Sequence, residues 1–554
     1  MSGRKYEKEF TISAKYLILP IQNKGKSGKL GVYVDGESFL DYEVGLATGP
    51  DTTDWYAFFS IDRFKGKKAK VVVSRATENG FALVKQSDTI PGEEGFYGEQ
   101  LRPQYHFTAK TGWLNDPNGL VFCRGVYHLY YQHNPVALPW GNMTWGHAVS
   151  SDLVHWKEQP KVLFPDAKTG TCFSGAMFID RKNQLGRKSG REDVLVAFYL
   201  RTKLGLCLAY SNDQGQTFVD YEENPVLTHR GARIDTPRPF WHGLTERWVA
   251  PTYDFFTNSE GEKRRCVGFY SSENLKEWHF ESRVEQDGWG DELCGCVDFF
   301  QLPLDGDPMN AKWIMILIDG SYIAGDFNGH TFYTDAGRPA KTADRIRSLV
   351  ISGNYYATMT WHNMPDTRRV QITWMKSENQ YPGMPFNQQM TIPSELTLHS
   401  TDDGPRLRMN PAQELEMLRI KTHEWTDLVL KAEENPLLGL EGDLFDLEVE
   451  FEPSAGSEAI FGIRGNDVIY DSESQTLSSC GTVAKLEPID GALRLRILLD
   501  RSSIEVFGND GRVYIPKIVF SKEDDLSLRA TCARGEINAR YLRVHELRSS
   551  WEAG

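Results

Sequence analysis

Short stretches in which apolar side chains alternate with polar ones, or run unbroken, recur along the whole chain and are bounded by Gly, Asn and Asp. Leu30–Val34, Ala69–Ser74, Val126–Gln132, Asp193–Arg201, Lys312–Ile318, Arg369–Trp374 and Leu493–Asp500 read as strands. Few segments carry the 3.6-residue period of an amphipathic helix; Pro411–Arg419 is the best candidate, and it is short. The pattern predicts an all-β protein. The longest apolar runs, such as Trp313–Ile318, reach about six residues, against the ~20 that a membrane-spanning helix needs.

The polar punctuation between strands repeats. Ser150-x-Asp152-Leu153-x-x-Trp156 matches Ser272-x-Asn274-Leu275-x-x-Trp278, and Ser211-Asn212-Asp213-x-Gly215-x-Thr217-Phe218 lies midway between them. A looser copy, Asp326-Phe327-Asn328-Gly329-His330-Thr331-Phe332, follows. Each copy reads as a strand, a polar turn, and a strand opening on an aromatic. A repeat of about 60 residues built this way fits a β-propeller with enlarged blades. The turn at Pro91–Gly95 closes a strand-rich segment 1–100, the repeats occupy 101–405, and a further strand-rich tract spans 410–554. Two β-sandwiches flanking a propeller account for the length.

Charge narrows the partners. Lys and Arg number 62 against 76 Asp and Glu, a net charge of −14, which argues against nucleic acid because phosphate binding wants a basic face. A neutral or cationic ligand, or a sugar, fits better, and 12% aromatic residues supply flat surface for a β core and for stacking on sugar rings. The eight cysteines are thinly spread, with no Cys-x-x-Cys pair, and read as reduced core residues. The first residues, Met-Ser-Gly-Arg-Lys-Tyr-Glu-Lys, contain no apolar signal-peptide core. The expectation is a cytoplasmic protein, or an extracellular or periplasmic one if a leader has been removed.

Candidate chemistry gathers in one region. Gly112-Trp113-Leu114-Asn115-Asp116-Pro117-Asn118-Gly119 is a dense polar and aromatic cluster. Tyr131-Gln132-His133-Asn134-Pro135, Trp140–His147 and Cys172-Phe173-Ser174-Gly175 follow in order. Amides and hydroxyls that bond ring hydroxyls, aromatics that cover a ring face, and a carboxylate for the anomeric carbon are what a glycoside site needs. Histidines 106, 128, 133, 147 and 155 lie nearby but show no metal-ligand spacing. The sequon Asn142-Met143-Thr144 falls inside the same motif, where a glycan would block the pocket.

These motifs resemble glycoside hydrolase family 32, the invertase, inulinase and levanase group. Trp113–Gly119, Tyr131–Pro135, Trp145–Trp156, Phe173–Gly175, Pro382–Pro393 and Asp500–Phe507 match the family's motifs in order over about 101–550. The resemblance implies a five-bladed propeller followed by a β-sandwich, with 1–100 as an additional N-terminal module. It implies retaining hydrolysis of β-fructofuranosides such as levan, inulin or fructo-oligosaccharides, with no organic cofactor and no metal. Asp116 would be the nucleophile, and Asn115, Gln132, Trp140, Phe173 and Ser174 would line the fructose pocket.

Two positions depart from the family's pattern. Its Arg-Asp-Pro motif corresponds to Asp235-Thr236-Pro237, so Thr236 stands where the family has Asp; a one-residue slip would let Asp235 serve. Its Glu-Cys-Pro-Asp motif corresponds to Gly295-Cys296-Val297-Asp298, so the acid/base position is a glycine. Glu292 and Asp291 lie just upstream. Three residues of extended chain span about 10 Å, so Glu292 can act as the acid only if this loop refolds; Asp298 is expected to keep a structural hydrogen-bonding role. The alternatives are a fructan-binding or catalytically impaired protein, and a same-clan enzyme with altered linkage or transfer activity.

Overall fold

The computed structural model describes residues 4–228, 234–286, 293–346, 350 and 353–551. Five antiparallel sheets form a β-propeller. The first blade is Gly112–Cys123, Val126–Asn134, Thr144–Ser150 and Lys157–Leu163. The second is Cys172–Asp180, Val194–Arg201, Gly205–Ser211 and Val219–Asp220. The third is Phe240–His242, Arg247–Thr257, Lys263–Ser272 and His279–Glu285; the fourth is Asp298–Leu304, Asp307–Ile316, Tyr322–Phe327 and Phe332–Tyr333. The fifth is Tyr356–Thr360, Arg369–Met375, Ser394–His399 and Arg406–Pro411.

The sequence repeat marks the turn from the third to the fourth strand of a blade. Ser150, Ser211 and Ser272 each end a third strand, and each hydroxyl donates to the acid or amide two residues on: Asp152 at 2.9 Å, Asp213 at 2.7 Å and Asn274 at 3.3 Å. Leu153 and Leu275 then take left-handed backbone, with φ of 66° and 68°. Trp156 and Trp278 each fold back to donate an indole N–H to the leucine carbonyl, at 2.9 and 2.8 Å. Their rings pack on the preceding blade, Trp156 against Trp361 and Trp278 against Phe198. One motif thus makes a turn and an inter-blade contact together.

Closure of the ring is non-covalent. Phe386–Asn387, beyond the second strand of blade five, pairs in parallel with Gly112–Trp113 of blade one, while Gln389–Met390 pairs back with Trp374–Met375. His362 N–H donates to Leu120 O and His362 O accepts from Phe122 N–H, adding a second lace between blades five and one. At the axis, buried Arg238 donates to Gly175 O at 2.9 Å, joining blades three and two. Asp298 accepts from Thr360 N–H at 2.8 Å, joining blades four and five, which is the structural role expected of it.

Beyond the propeller, two sheets of six and five strands over 419–547 pack face to face around Phe451, Phe461, Tyr470 and Leu495. Before it, sheets of four and three strands between Lys5 and Ser87 enclose Leu19, Leu40 and Val71, and this core takes in Val136 and Leu138 of the first blade. The helical expectation for Pro411–Arg419 is corrected to a 3-10 segment, Gln413–Leu418; a 3.6-residue pattern this short cannot sustain an α-helix between two paired strands. All eight cysteines are free thiols.

A buried charge cluster ties the propeller to the sandwich that follows. His106 bonds Asp500 through Nδ1 at 2.8 Å and Glu505 through Nε2 at 2.6 Å. Asp500 also accepts the backbone N–H groups of Gln104, Tyr105 and His106, and Glu505 accepts that of Ile392. Burial alone would depress the imidazole, but its hydrogen bonds and charge contacts with the two carboxylates outweigh burial and raise it to about 9. The folded value lies above the ~6.5 of an unfolded histidine, so this stabilisation is complete below that pH and is lost as pH rises through about 9. His106→Gln leaves two buried carboxylates without a cation and is expected to cost about 3–5 kcal/mol at pH 7. Thermal melts at pH 7 and 10 check this: the wild type should lose stability across that interval, and the variant should lose much less.

Candidate active site

The inner strands of the blades place the candidate residues around one cavity of about 300 Å³ at the propeller axis. Asn115 and Asp116 come from the first strand of blade one and Gln132 from its second; Phe173 and Ser174 come from blade two. Asp235 and Thr236 enter from the segment leading into blade three, held by paired backbone bonds between Asp235 and Tyr253, both 3.0 Å. Gly295 and Cys296 precede the first strand of blade four. Trp140 stands at the rim, 56% exposed, with its ring edge-on to Phe173 at 5.9 Å. Every described residue singled out from sequence as a site candidate lines this cavity. Glu292 and Asp291 lie outside the described residues.

A chain of donors holds the Asp116 carboxylate. Trp113 Nε1–H donates to Asn115 Oδ1 at 2.9 Å, and Asn115 Nδ2–H donates to Asp116 Oδ1 at 3.1 Å. Ser174 O–H donates to Asp116 Oδ2 at 2.7 Å, and the Cys296 thiol reaches the same oxygen at 3.5 Å. Burial, then the charge of Asp116, push that thiol well above its ordinary value, so it stays protonated as a donor. Fixed donors on both oxygens leave the carboxylate one orientation, the preorganisation that attack on an anomeric carbon requires.

Two buried acceptors in the wall lack partners. Gln132 Oε1 and Thr236 Oγ1 have no hydrogen-bond partner among the described residues. A buried polar atom left without a partner costs about 1–3 kcal/mol. Thr236 and Cys296 also adopt left-handed backbone, with φ of 47° and 46°. For a β-branched residue that is a strained conformation. It puts Thr236 N–H on its neighbour Asp235 Oδ1 at 2.7 Å.

Sequence reasoning missed part of the wall. Tyr253, Ile318, Tyr356, Trp374 and Lys376 line the same cavity. Trp374 and Lys376 are two apart at the end of the strand Arg369–Met375, and the Lys376 ammonium lies over the Tyr356 ring at 4.7 Å. That period-two spacing was the available signal, but it does not say which strand end faces the axis. Cys296 counted as a core cysteine; it is buried, yet its sulfur belongs to the site because its left-handed backbone turns it toward Asp116.

Gly295 offers no proton, and among the described lining residues Asp116 and Asp235 are the carboxylates. The nearby histidines serve structure. His128 Nδ1 bonds His147 Nε2 at 3.0 Å, and His133 Nδ1 bonds Trp113 O at 2.7 Å. The three-ligand cluster found among the described residues, Asp446, Glu448 and His545, lies in the C-terminal sandwich, where Arg419 bonds both carboxylates and Arg496 bonds Asp446.

Comparison with known proteins places this geometry. Residues 106–411 match the family described as Glycosyl hydrolases family 32 N-terminal domain, and 414–546 match Glycosyl hydrolases family 32 C terminal. A levanase of Bacillus subtilis (strain 168) is 36% identical over 503 residues, covering 83% of this chain and 72% of the levanase. A levanase of Bacillus sp. (strain L7) is 30% identical; the alignment covers 82% of this chain and 53% of that protein, about half its length. An exo-inulinase structure from Aspergillus awamori superimposes with a TM-score of 0.71 at 25% identity, over 82% of this chain and all of that one.

The strain at residue 236 is testable by itself. Thr236→Gly removes the β-branched side chain and its orphaned hydroxyl, and glycine adopts left-handed backbone freely. The variant is expected to unfold at a higher denaturant midpoint, by about 0.5–1 kcal/mol. Urea unfolding followed by tryptophan fluorescence checks it.

Proposed function

The chain belongs to glycosyl hydrolase family 32, and from that premise we propose that it is a retaining β-fructofuranosidase acting on fructans, with Asp116 as nucleophile and Glu292 as a non-standard acid. The observation that carries the reading is the Asp116 carboxylate, held by Asn115 and Ser174 in the wall of the axial cavity. Asp116 attacks C2 of a fructosyl ring, and the C2–O bond to the leaving group breaks. The acid protonates the departing oxygen. Water then takes its place, gives a proton back to the same group, and releases fructose with net retention. Gln132, Thr236 and Asp235, which line the cavity, would bond ring hydroxyls, and Trp140 with Phe173 would cover an apolar ring face.

The relatives support the substrate class, since they carry the names levanase, exo-inulinase, invertase and fructan beta-fructosidase. Gly295 favours one competing reading, a propeller that binds fructans with little turnover.

Incubation with sucrose, inulin and levan separates the two. The wild type is expected to release fructose, and Asp116→Asn to release none above background. Equal release from both would remove Asp116 as the nucleophile; no release from either would leave binding alone.

The acid has its own signature. General acid catalysis contributes about 10²–10⁴-fold, and that contribution shrinks when the leaving group needs no proton. Glu292→Gln is therefore expected to slow sucrose hydrolysis by about that factor while largely sparing an activated aryl fructoside. Unchanged sucrose rates would exclude Glu292.

A further inference from the structure

Trp140 stands between two cavities. On one side it lines the axial site with Asp116. On the other it lines a cavity of about 410 Å³, walled by Asp41 and Glu43 of the N-terminal module and by Thr171, Thr202 and Lys203 of the propeller. The exposed indole is shared by both, so the two cavities adjoin at Trp140.

The N-terminal module is pinned at this junction. Asn142, two residues past Trp140, accepts from Glu43 N–H at 2.9 Å and donates to Glu43 O at 2.8 Å, a two-point clamp on a strand backbone. Its left-handed φ of 49° and a further bond to Asn134 Oδ1 at 3.2 Å turn the amide toward the module. The phenol of Tyr42 bonds Thr144 Oγ1 at 2.7 Å beside it. This also accounts for the sequon at Asn142: its amide is already engaged. The strand carrying Asp41 and Glu43 therefore holds a fixed position relative to the loop that carries Trp140.

The second cavity has the chemistry of a site for a neutral polyol. The half-buried Asp41 carboxylate has no hydrogen bond and no ion pair among the described residues. Thr171 and Thr202 also line it: Thr202 Oγ1 accepts from Thr171 N–H at 3.0 Å and the two hydroxyls are 3.4 Å apart, so one hydroxyl hydrogen remains to donate, and the Lys203 ammonium uses one N–H on Ala167 O at 2.6 Å, leaving two. Acceptors and donors mixed beside an exposed indole suit a sugar ring, with hydroxyls bonded at its edge and one face covered. Asp41, Glu43 and Asp166 together disfavour an anionic chain.

We propose that this cavity is an extension of the substrate site, in which the N-terminal module binds fructosyl units of a polymer beyond the unit placed over Asp116, so that the module sets a preference for long fructans over sucrose. The inference rests on the fructan reading above. Its test separates the two by measuring binding apart from turnover. In an Asp116→Asn background, affinity electrophoresis in gels containing levan reads polymer binding, and calorimetry reads sucrose binding. Adding Asp41→Ala or Lys203→Ala is expected to weaken levan binding about tenfold, about 1.4 kcal/mol, with sucrose affinity held. In the active background the ratio of kcat/KM for levan to that for sucrose is expected to fall by a similar factor. Lys203 is exposed and Asp41 half-buried, and matched melting temperatures certify the fold. Levan affinity unchanged in both variants, or a parent that does not bind levan, overturns the proposal. Levan binding that depends on Asp41, in a protein that releases no fructose, upholds it and removes the catalytic reading instead.

Discussion

A propeller is a ring of sheets, and its geometry rests on closing that ring without a covalent bond. Here the closure is a two-residue parallel pairing of Phe386–Asn387 with Gly112–Trp113, reinforced by the His362 backbone across Leu120 and Phe122. The strand so captured is the one that carries Asn115 and Asp116. Its position sets where the carboxylate meets Ser174 from blade two and Cys296 from the approach to blade four. A site assembled from five sheets has no single element to define it, so anything that loosens the ring disperses the site before it unfolds a blade. The Asp298–Thr360 and Arg238–Gly175 bonds are the axial ties that oppose such loosening.

Much of this was legible because the informative residues do two jobs. The Ser-x-Asp-Leu-x-x-Trp repeat was visible in sequence because each member is needed locally: the serine and acid make the turn, the leucine takes left-handed backbone, and the tryptophan spans to the previous blade. The cluster around Asp116 was visible for the same reason, with turn formers and chemistry compressed into eight residues. What stayed hidden is carried by residues whose local role is ordinary. Tyr356, Trp374 and Lys376 look like any strand end, and only the closure of blade five onto blade one turns them toward the cavity. The groove between Trp140 and Asp41 depends on contacts a hundred residues apart in sequence, such as Asn142 with Glu43, and no local pattern encodes them.

The two departures from the family's pattern share a feature. Residue 236 and residue 296, adjacent to Gly295, both have left-handed backbone. Asp and Asn tolerate that conformation better than other side chains, and Thr tolerates it poorly. At position 236 a threonine therefore carries that strain. Yet the surrounding hydrogen bonds still enforce the turn, with Asp235 Oδ1 bonded to the Thr236 N–H and the Asp235 backbone paired to Tyr253. The scaffold holds a left-handed turn at a position where the side chain does not favour it.

That persistence bears on how the pocket is used. A pocket released from any ligand has no reason to keep a buried carboxylate between three donors, since taking a charge out of water is costly. Filling the cavity with apolar side chains would remove that cost. The polar lining is therefore best understood as the complement of a polyol that occupies the axis. On the reading proposed above, proton delivery to the glycosidic oxygen sets how fast the bond breaks, while the residues of blades one, two and three around Asp116 set which ring is held there.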